Sequence, residues 1–307
     1  MTGAAGAAGP GSGVPRLVGA CQEQDAPEER DAYQDPRLAS VYQRGNEMPA
    51  TSLRAWAELI AGYASGGRAV LEVGAGTGMF CAALAEVLPD AEVTGVEPSA
   101  PMLAEAQRHN AHPRVRYLAG SAQALPMPDA GVDLVLLSRV VHHLPDRPAA
   151  ARELARALRP GGRLVIRTTV RERLDAPVYR YWPRLLETDA ERFPSERQIV
   201  EDFTSAADFA VHRVHSFSRP TALDLREWRE RIAGRAQSKF LALTEAEFAA
   251  GLARLDAELA RGSGGGGGGV ADCGGGVADG GAVPRGAVAP VEERYDVIVL
   301  ERTPVGA

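Results

Sequence analysis

The feature that most constrains this chain is a regular alternation between about residues 68 and 169 of short apolar runs and segments of helical period. "RAVLEV", "EVTGVEP", "VRYLAG", "VDLVLLS" and "RLVIRTTV" read as five strands. "GMFCAALAEVLP", "PMLAEAQRH" and "PAAARELARAL" read as the helices between them. Pro89 ends the first helix, Ser99 caps the second and "RPGG" stops the third. The strands are too apolar to leave one face in water, so the pattern argues a parallel sheet covered by helices on both sides.

The flanks read differently. Residues 1–30 are rich in Gly, Ala and Pro and then acidic, which predicts a disordered tail with no basic, apolar leader. "LASVYQRG" and "TSLRAWAELIAGYA" predict two helices, the second capped by Thr51 or Ser52 and burying Leu53, Trp56, Leu59 and Ile60. After Thr169, "RLDAPVYRYWPRLLETDAERF" reads as helical with an aromatic cluster. "SERQIVEDFTSA" is a helix opening at Ser195, "DFAVHRVHSF" alternates like a strand, and "LDLREWRERIAGRA" is an amphipathic helix. "TEAEFAAGLARLDAELA" carries a capping box in Thr244 and Glu247. Residues 262–289, Gly-rich and containing GGGVAD twice, read as a disordered loop. "RYDVIVLERT" beyond it is a clean strand that most plausibly returns to the sheet it left.

The expected organisation is therefore a single domain over 31–261 and 290–304. Its core is 68–169, and 31–60 with 172–261 form a helical lid that also carries substrate elements.

The 307-residue chain has a net charge of −6, which offers no footprint for nucleic acid or an anionic membrane. Its basic residues are almost all arginine, Lys239 being the only lysine, and arginines scattered along an acidic chain predict no binding patch. Cys21, Cys81 and Cys273 lie far apart, which is neither a disulfide framework nor a metal site and points to the cytoplasm. No apolar run approaches the ~20 residues of a membrane span.

At the end of the first strand, "VLEVGAGTGMF" turns the chain into a helix through Gly74, Ala75, Gly76, Thr77 and Gly78. Glycines there allow a sharp turn and let backbone approach a ligand closely. A P-loop would need GxxxxGK[ST], and the loop has no lysine. A dinucleotide site wants GxGxxG, and here the last glycine comes one place early, with Met79 where the other would fall. Glu97 ends the second strand 19 residues beyond Gly78, where a carboxylate can accept both hydroxyls of a ribose. NAD enzymes use the same device.

Glu72 before GxGxG, Glu97, the polar turn "YLAGSAQALPMPDAGVDLVLLS" and the "LRPGGRLVIRT" turn occur in that order. Together they resemble the class I S-adenosylmethionine-dependent methyltransferases, in their small-molecule branch. The resemblance covers about 68–169, with "RYDVIVLE" similar to the antiparallel closing strand of that superfamily. It implies a Rossmann-like α/β fold of seven mostly parallel strands with S-adenosyl-L-methionine as cofactor. Gly74 to Gly78 would cradle the methionine end and Glu72 would sit near its ammonium. Glu97 would hold the ribose, Pro98 would flank the adenine, Ser121 and Ala122 would meet the adenine edge, and Ser138 would complete the site. The superfamily often has an aspartate where Ser121 stands.

Chemistry is expected at the end of the fourth strand, "SRVVHHLPD". It lacks the (D/N/S)PP(Y/F) sequence of nucleic-acid amino methyltransferases and the Pro-Cys of cytosine C5 enzymes. It has His142 and His143, whose imidazoles titrate where a base for a hydroxyl proton must. "HHLPD" is similar to a stretch of natural-product O-methyltransferases with such a base, although the acidic partner some of them carry is replaced here by Arg167 and Thr168. Packing at the turn explains the pair as well. The expected activity is methyl transfer to an oxygen of a small molecule, a hydroxyl or a carboxylate. An NAD(P)-dependent oxidoreductase and a non-catalytic cofactor-binding accessory protein are the alternatives. No metal, nucleic-acid or membrane partner is expected, and the oligomeric state is left open.

Overall fold

The computed structural model describes residues 33–263 and 289–304. The expectations for residues 1–30 and for most of 262–289 lie outside these residues. Seven strands form one sheet: β1 (Ala69–Val73), β2 (Glu92–Glu97), β3 (Val115–Ala119), β4 (Val132–Ser138), β5 (Leu158–Thr168), β6 (Phe209–Ala222) and β7 (Val291–Arg302). Their order across the sheet is β3-β2-β1-β4-β5-β7-β6. The first five pair in parallel, and β7 runs antiparallel to both β5 and β6. The last strand is thus the reversed one, and it is inserted between its two predecessors.

Both faces of the central strands are buried, as their unbroken apolar runs require. Side chains of a strand alternate between faces. In β4, Val135 and Leu137 pack with Leu154 of α5 (Arg147–Ala157) and with Ile199 and Phe203 of α8 (Glu196–Ala206). Leu134 and Leu136 face the other way, with Trp56 and Ile60 of α2 (Ala50–Ala61) and Phe80 and Leu84 of α3 (Met79–Val87). β7 repeats the pattern, Ile298 and Leu300 on one face, Val297 and Val299 on the other. The helix α4 (Ala100–His109) follows β2, and Ser99 caps it by accepting from the Met102 amide at 3.2 Å.

Helices from both ends of the chain meet over the carboxyl ends of the parallel strands. They are α1 (Pro36–Asn46), α6 (Val178–Tyr181), α7 (Arg184–Arg192), α9 (Leu225–Ala233) and α10 (Glu245–Ser263). Trp182, Trp228, Phe240 and Leu255 form a separate core there. Tyr33 donates its hydroxyl to Ser238 Oγ at 2.8 Å, and Gln237 Nε2 donates to the Gly45 carbonyl at 3.0 Å. The N-terminal and C-terminal parts of this layer are joined in that way.

Two local expectations change. The helix α2 starts at Ala50 behind Pro49, which takes the N-cap place with φ −50° and an extended ψ of 136°, so Thr51 and Ser52 fall inside the first turn instead of capping it. The aromatic segment after Thr169 is not one helix, because α6 and α7 begin directly after Pro177 and Pro183. The capping box at Thr244/Glu247 forms as read, and Ser195, where a helix is expected to open, forms a second one with Gln198.

Candidate active site

The loop after β1 turns through three left-handed glycines, Gly74, Gly76 and Gly78. A Cβ on Gly74 would come within 2.5 Å of Val140 Cγ2, and one on Gly78 within 2.2 Å of the Tyr117 hydroxyl oxygen. Both positions therefore need glycine twice over, for conformation and for space. The loop's own amides are nearly used up. Gly74 and Ala75 donate to the Val96 carbonyl at 2.8 and 3.1 Å, and Gly78 donates to the Ala75 carbonyl at 2.8 Å. Gly76 donates to Glu97 Oε2 at 2.9 Å. Glu97 Oε1 accepts from the Ser99 amide at 3.0 Å, so this carboxylate staples the loop to the end of β2.

Glu97 is only 7% exposed, and burial pushes its carboxyl upward against those two amides, which pull it down. It lines a cavity of about 430 Å³, within the ~300–1,000 Å³ typical of small-molecule sites. Gly74, Gly76, Pro98, Ser121, Ala122, Ser138 and His143 line the same cavity. An adjoining cavity of about 70 Å³ is lined by Glu72, Ala75 and Thr77 with Gly74, Gly76 and Ser138. Every sequence-predicted cofactor residue therefore faces one of the two, except Gly78. That glycine opens α3 and packs on Tyr117 instead.

Glu72 is 3% exposed and is pushed up to about 8 by burial, against the Cys81 thiol that donates to its Oε2 at 3.0 Å. Among the described residues Glu72 forms no ion pair, and Arg167 lowers it only as the last of several influences, so a ligand's ammonium is a chemically suitable occupant. A pyrophosphate is not. It would need loop amides that are already engaged, and it would lie beside two carboxylates.

The two histidines sit in a single 3-10 turn, Val141–His143. His143 lines the large cavity and also a third one of about 60 Å³, whereas His142 lines only the third. Their rings are 4.0 Å apart, and His142 packs on Phe193 at 4.5 Å. Burial, then the neighbouring His143 and the cations Arg192 and Arg139, hold His142 well below its ordinary value, so it is neutral.

Sequence reasoning missed the cations. Arg139 lines all four cavities of this region, including one of about 20 Å³ that also holds Arg167, Arg219 and Arg231. Lys239 lines the third. The arginines scattered in the sequence do gather here, because β4, β5, β6 and the segment before α10 all end beside one another. The only early signal was Arg167 standing in an apolar strand. Among the described residues, no His/Cys/Asp/Glu group could hold a metal, and no helix is long and apolar enough to cross a membrane.

This strand order, with its one reversed strand and a glycine loop stapled by a carboxylate from β2, defines a class. Residues 71–166, within this core, match the model of the methyltransferase domain family. An uncharacterized methyltransferase of Mycobacteroides abscessus is 41% identical over 112 residues, 36% of this chain and 42% of that protein. The demethylmenaquinone methyltransferase of Thermus thermophilus is 42% identical over 100 residues, 32% of this chain and 45% of that one. The chain thus spans less than half the length of these two curated relatives. Among solved structures, an antibiotic-biosynthesis methyltransferase of Anabaena variabilis shares the fold with a TM-score of 0.58 at 24% identity, covering 83% of this chain and 99% of that one. The [4+2]-cyclase SpnF shares it at 0.52 and 21% identity, covering 85% and 84%. Likenesses of this order concern the fold alone.

Proposed function

We propose that the protein is a cytoplasmic enzyme that moves a methyl group from S-adenosylmethionine to an oxygen of a small molecule. The observation that carries this is the loop itself, whose amides at Gly74, Ala75, Gly76 and Gly78 are engaged within the protein. Such a loop fits a ligand that brings hydroxyls and an ammonium to Glu97 and Glu72, and it leaves a dinucleotide's phosphates without donors. The widely spaced cysteines, with no CxxC pair, favour the cytoplasm.

When bound, the cofactor supplies a methyl group on sulfonium sulfur, the carbon–sulfur bond breaking with its electron pair left on sulfur. Glu97 holds the ribose hydroxyls with the lone pairs its amide partners leave free. Glu72 meets the ammonium, Ser121 and Ala122 lie at the adenine edge, and Pro98 flanks it. His143, on the wall shared by the large cavity and the third one, takes the proton of an acceptor hydroxyl at an unprotonated ring nitrogen as the oxygen bonds to the methyl carbon. The aromatic rings of Tyr33 and Tyr42 beside it exclude water and orient a flat acceptor.

Isothermal titration with S-adenosylhomocysteine and, separately, with NADH tests the reading. Binding of the first and silence with the second is expected. The reverse result would make the protein an oxidoreductase.

A further inference from the structure

Resting on the methyl-transfer reading, we propose that the methyl acceptor is a carboxylic acid whose carboxylate is gripped by Arg139 and Lys239 on the wall of the third cavity. The chain as a whole is acidic and has one lysine, yet that lysine lies here, half-buried. Lys239 has no hydrogen bond and no ion pair among the described residues; its ammonium lies 5.8 Å from the centre of the Phe240 ring. Among the described residues Arg139 has a single side-chain hydrogen bond, from Nη1 to Asn46 Oδ1 at 2.9 Å, and no ion pair.

The other charges around the cavity are settled. Asp189 accepts from Arg192 and from the Tyr179 hydroxyl, each at 2.8 Å, and Arg294 pairs with Asp175 at 2.6 Å. Glu293 is the one carboxylate left among them, and it accepts from the Tyr295 hydroxyl at 2.6 Å. Arg167 stands behind as a further cation in no ion pair among the described residues, 1% exposed and stacked 3.6 Å from the centre of the Tyr295 ring. Its Nη1 reaches only Ser138 Oγ at 3.2 Å, and its Nε has no partner. Arg139, Arg167 and Lys239 thus face Glu293, while Glu72 answers the cofactor's ammonium and the cofactor brings one carboxylate more. A cationic surplus remains, which attracts an anion and repels an amine.

The backbone points the same way. Arg139 has φ of +61°, a left-handed conformation that strains a non-glycine residue. It is held there because its amide donates to the Arg167 carbonyl at 2.8 Å, tying the ends of β4 and β5 together. That conformation delivers the guanidinium into the cavities next to His143.

The test uses the full chain saturated with S-adenosylhomocysteine. Hydroxybenzoic acids, their carboxamides, hydroxybenzylamines and phenyl phosphate are titrated by calorimetry. Acids binding at least ten-fold more tightly than the matched carboxamides, with amines weaker still, is the expected result. Lys239→Met should remove that preference and Lys239→Arg should restore it, with S-adenosylhomocysteine affinity within two-fold of the parent in both. Equal binding of acids and carboxamides, no binding of acids at millimolar concentration, or a preference kept in Lys239→Met would overturn the carboxylate grip while leaving methyl transfer standing. Preference for phenyl phosphate would also overturn it, in favour of a phosphate ester. Failure of S-adenosylhomocysteine itself to bind would instead remove the reading beneath it.

Discussion

Glu72 prefers its proton in the ligand-free fold, with its carboxyl at about 8 against an ordinary 4.5, because burial outweighs the Cys81 hydrogen bond and the pull of Arg167. A raised folded value means that its contribution to stability is complete below about pH 4.5 and is lost as pH rises through about 8. Between those limits the ligand-free protein should lose up to about 1.4 kcal/mol of stability per pH unit from this group. Glu72→Gln should flatten that slope in chemical denaturation. An ammonium arriving beside Glu72 should expel the proton, so S-adenosylhomocysteine binding at pH 7 should release about one proton. Calorimetry in buffers of different ionisation enthalpy measures this; an enthalpy independent of buffer would place the ammonium elsewhere. For the histidines, His143→Ala should lower turnover of a hydroxyl acceptor by about 10²–10⁴-fold with cofactor affinity unchanged. His142→Ala should cost less, since the His142 ring packs on Phe193 and lines only the third cavity. Full activity in His143→Ala would strip it of the base role and point to an acceptor that is already ionised.

At the scale of elements, the strand–loop–helix unit from β1 to α3 is where local sequence and tertiary contact meet. Gly78→Ala would place a methyl on a left-handed residue and against the Tyr117 hydroxyl, which donates to the Asn110 carbonyl at 2.8 Å. The expected loss is roughly 1–3 kcal/mol in chemical denaturation, accompanied by weaker cofactor binding as α3 shifts. A variant as stable as the parent would show that the loop relaxes freely. The glycines, the strand before them and the helix after them were all legible, because conformational demand is written in residue type. The staple between Glu97 and Gly76 was not. From the sequence Glu97 read as a ribose ligand alone; its partnership with a loop amide 21 positions earlier depends on β1 and β2 pairing side by side.

For the whole molecule, β7 decides whether the sheet closes. Val297, Ile298, Val299 and Leu300 are fully buried between β5 and β6, each worth roughly 1.5–3 kcal/mol. Their sum is comparable to the ~5–15 kcal/mol that holds a domain together. A chain ending at residue 289 should therefore show no cooperative thermal unfolding by circular dichroism; a sharp transition would mean that β5 and β6 close the sheet without it. The alternation of apolar strands and amphipathic helices determined the class of fold, since burying both faces of such strands admits little else, and the strand–turn–helix signature with its two carboxylates determined where a ligand is met. What only the tertiary structure decided is the chamber beside it. Arg139, Lys239, Glu293 and Tyr33 are far apart in the chain and share no spacing, and they converge because helices from both termini pack over the same strand ends. Local periodicity encodes what each segment buries. It holds no record of which distant charges the finished packing leaves facing one another.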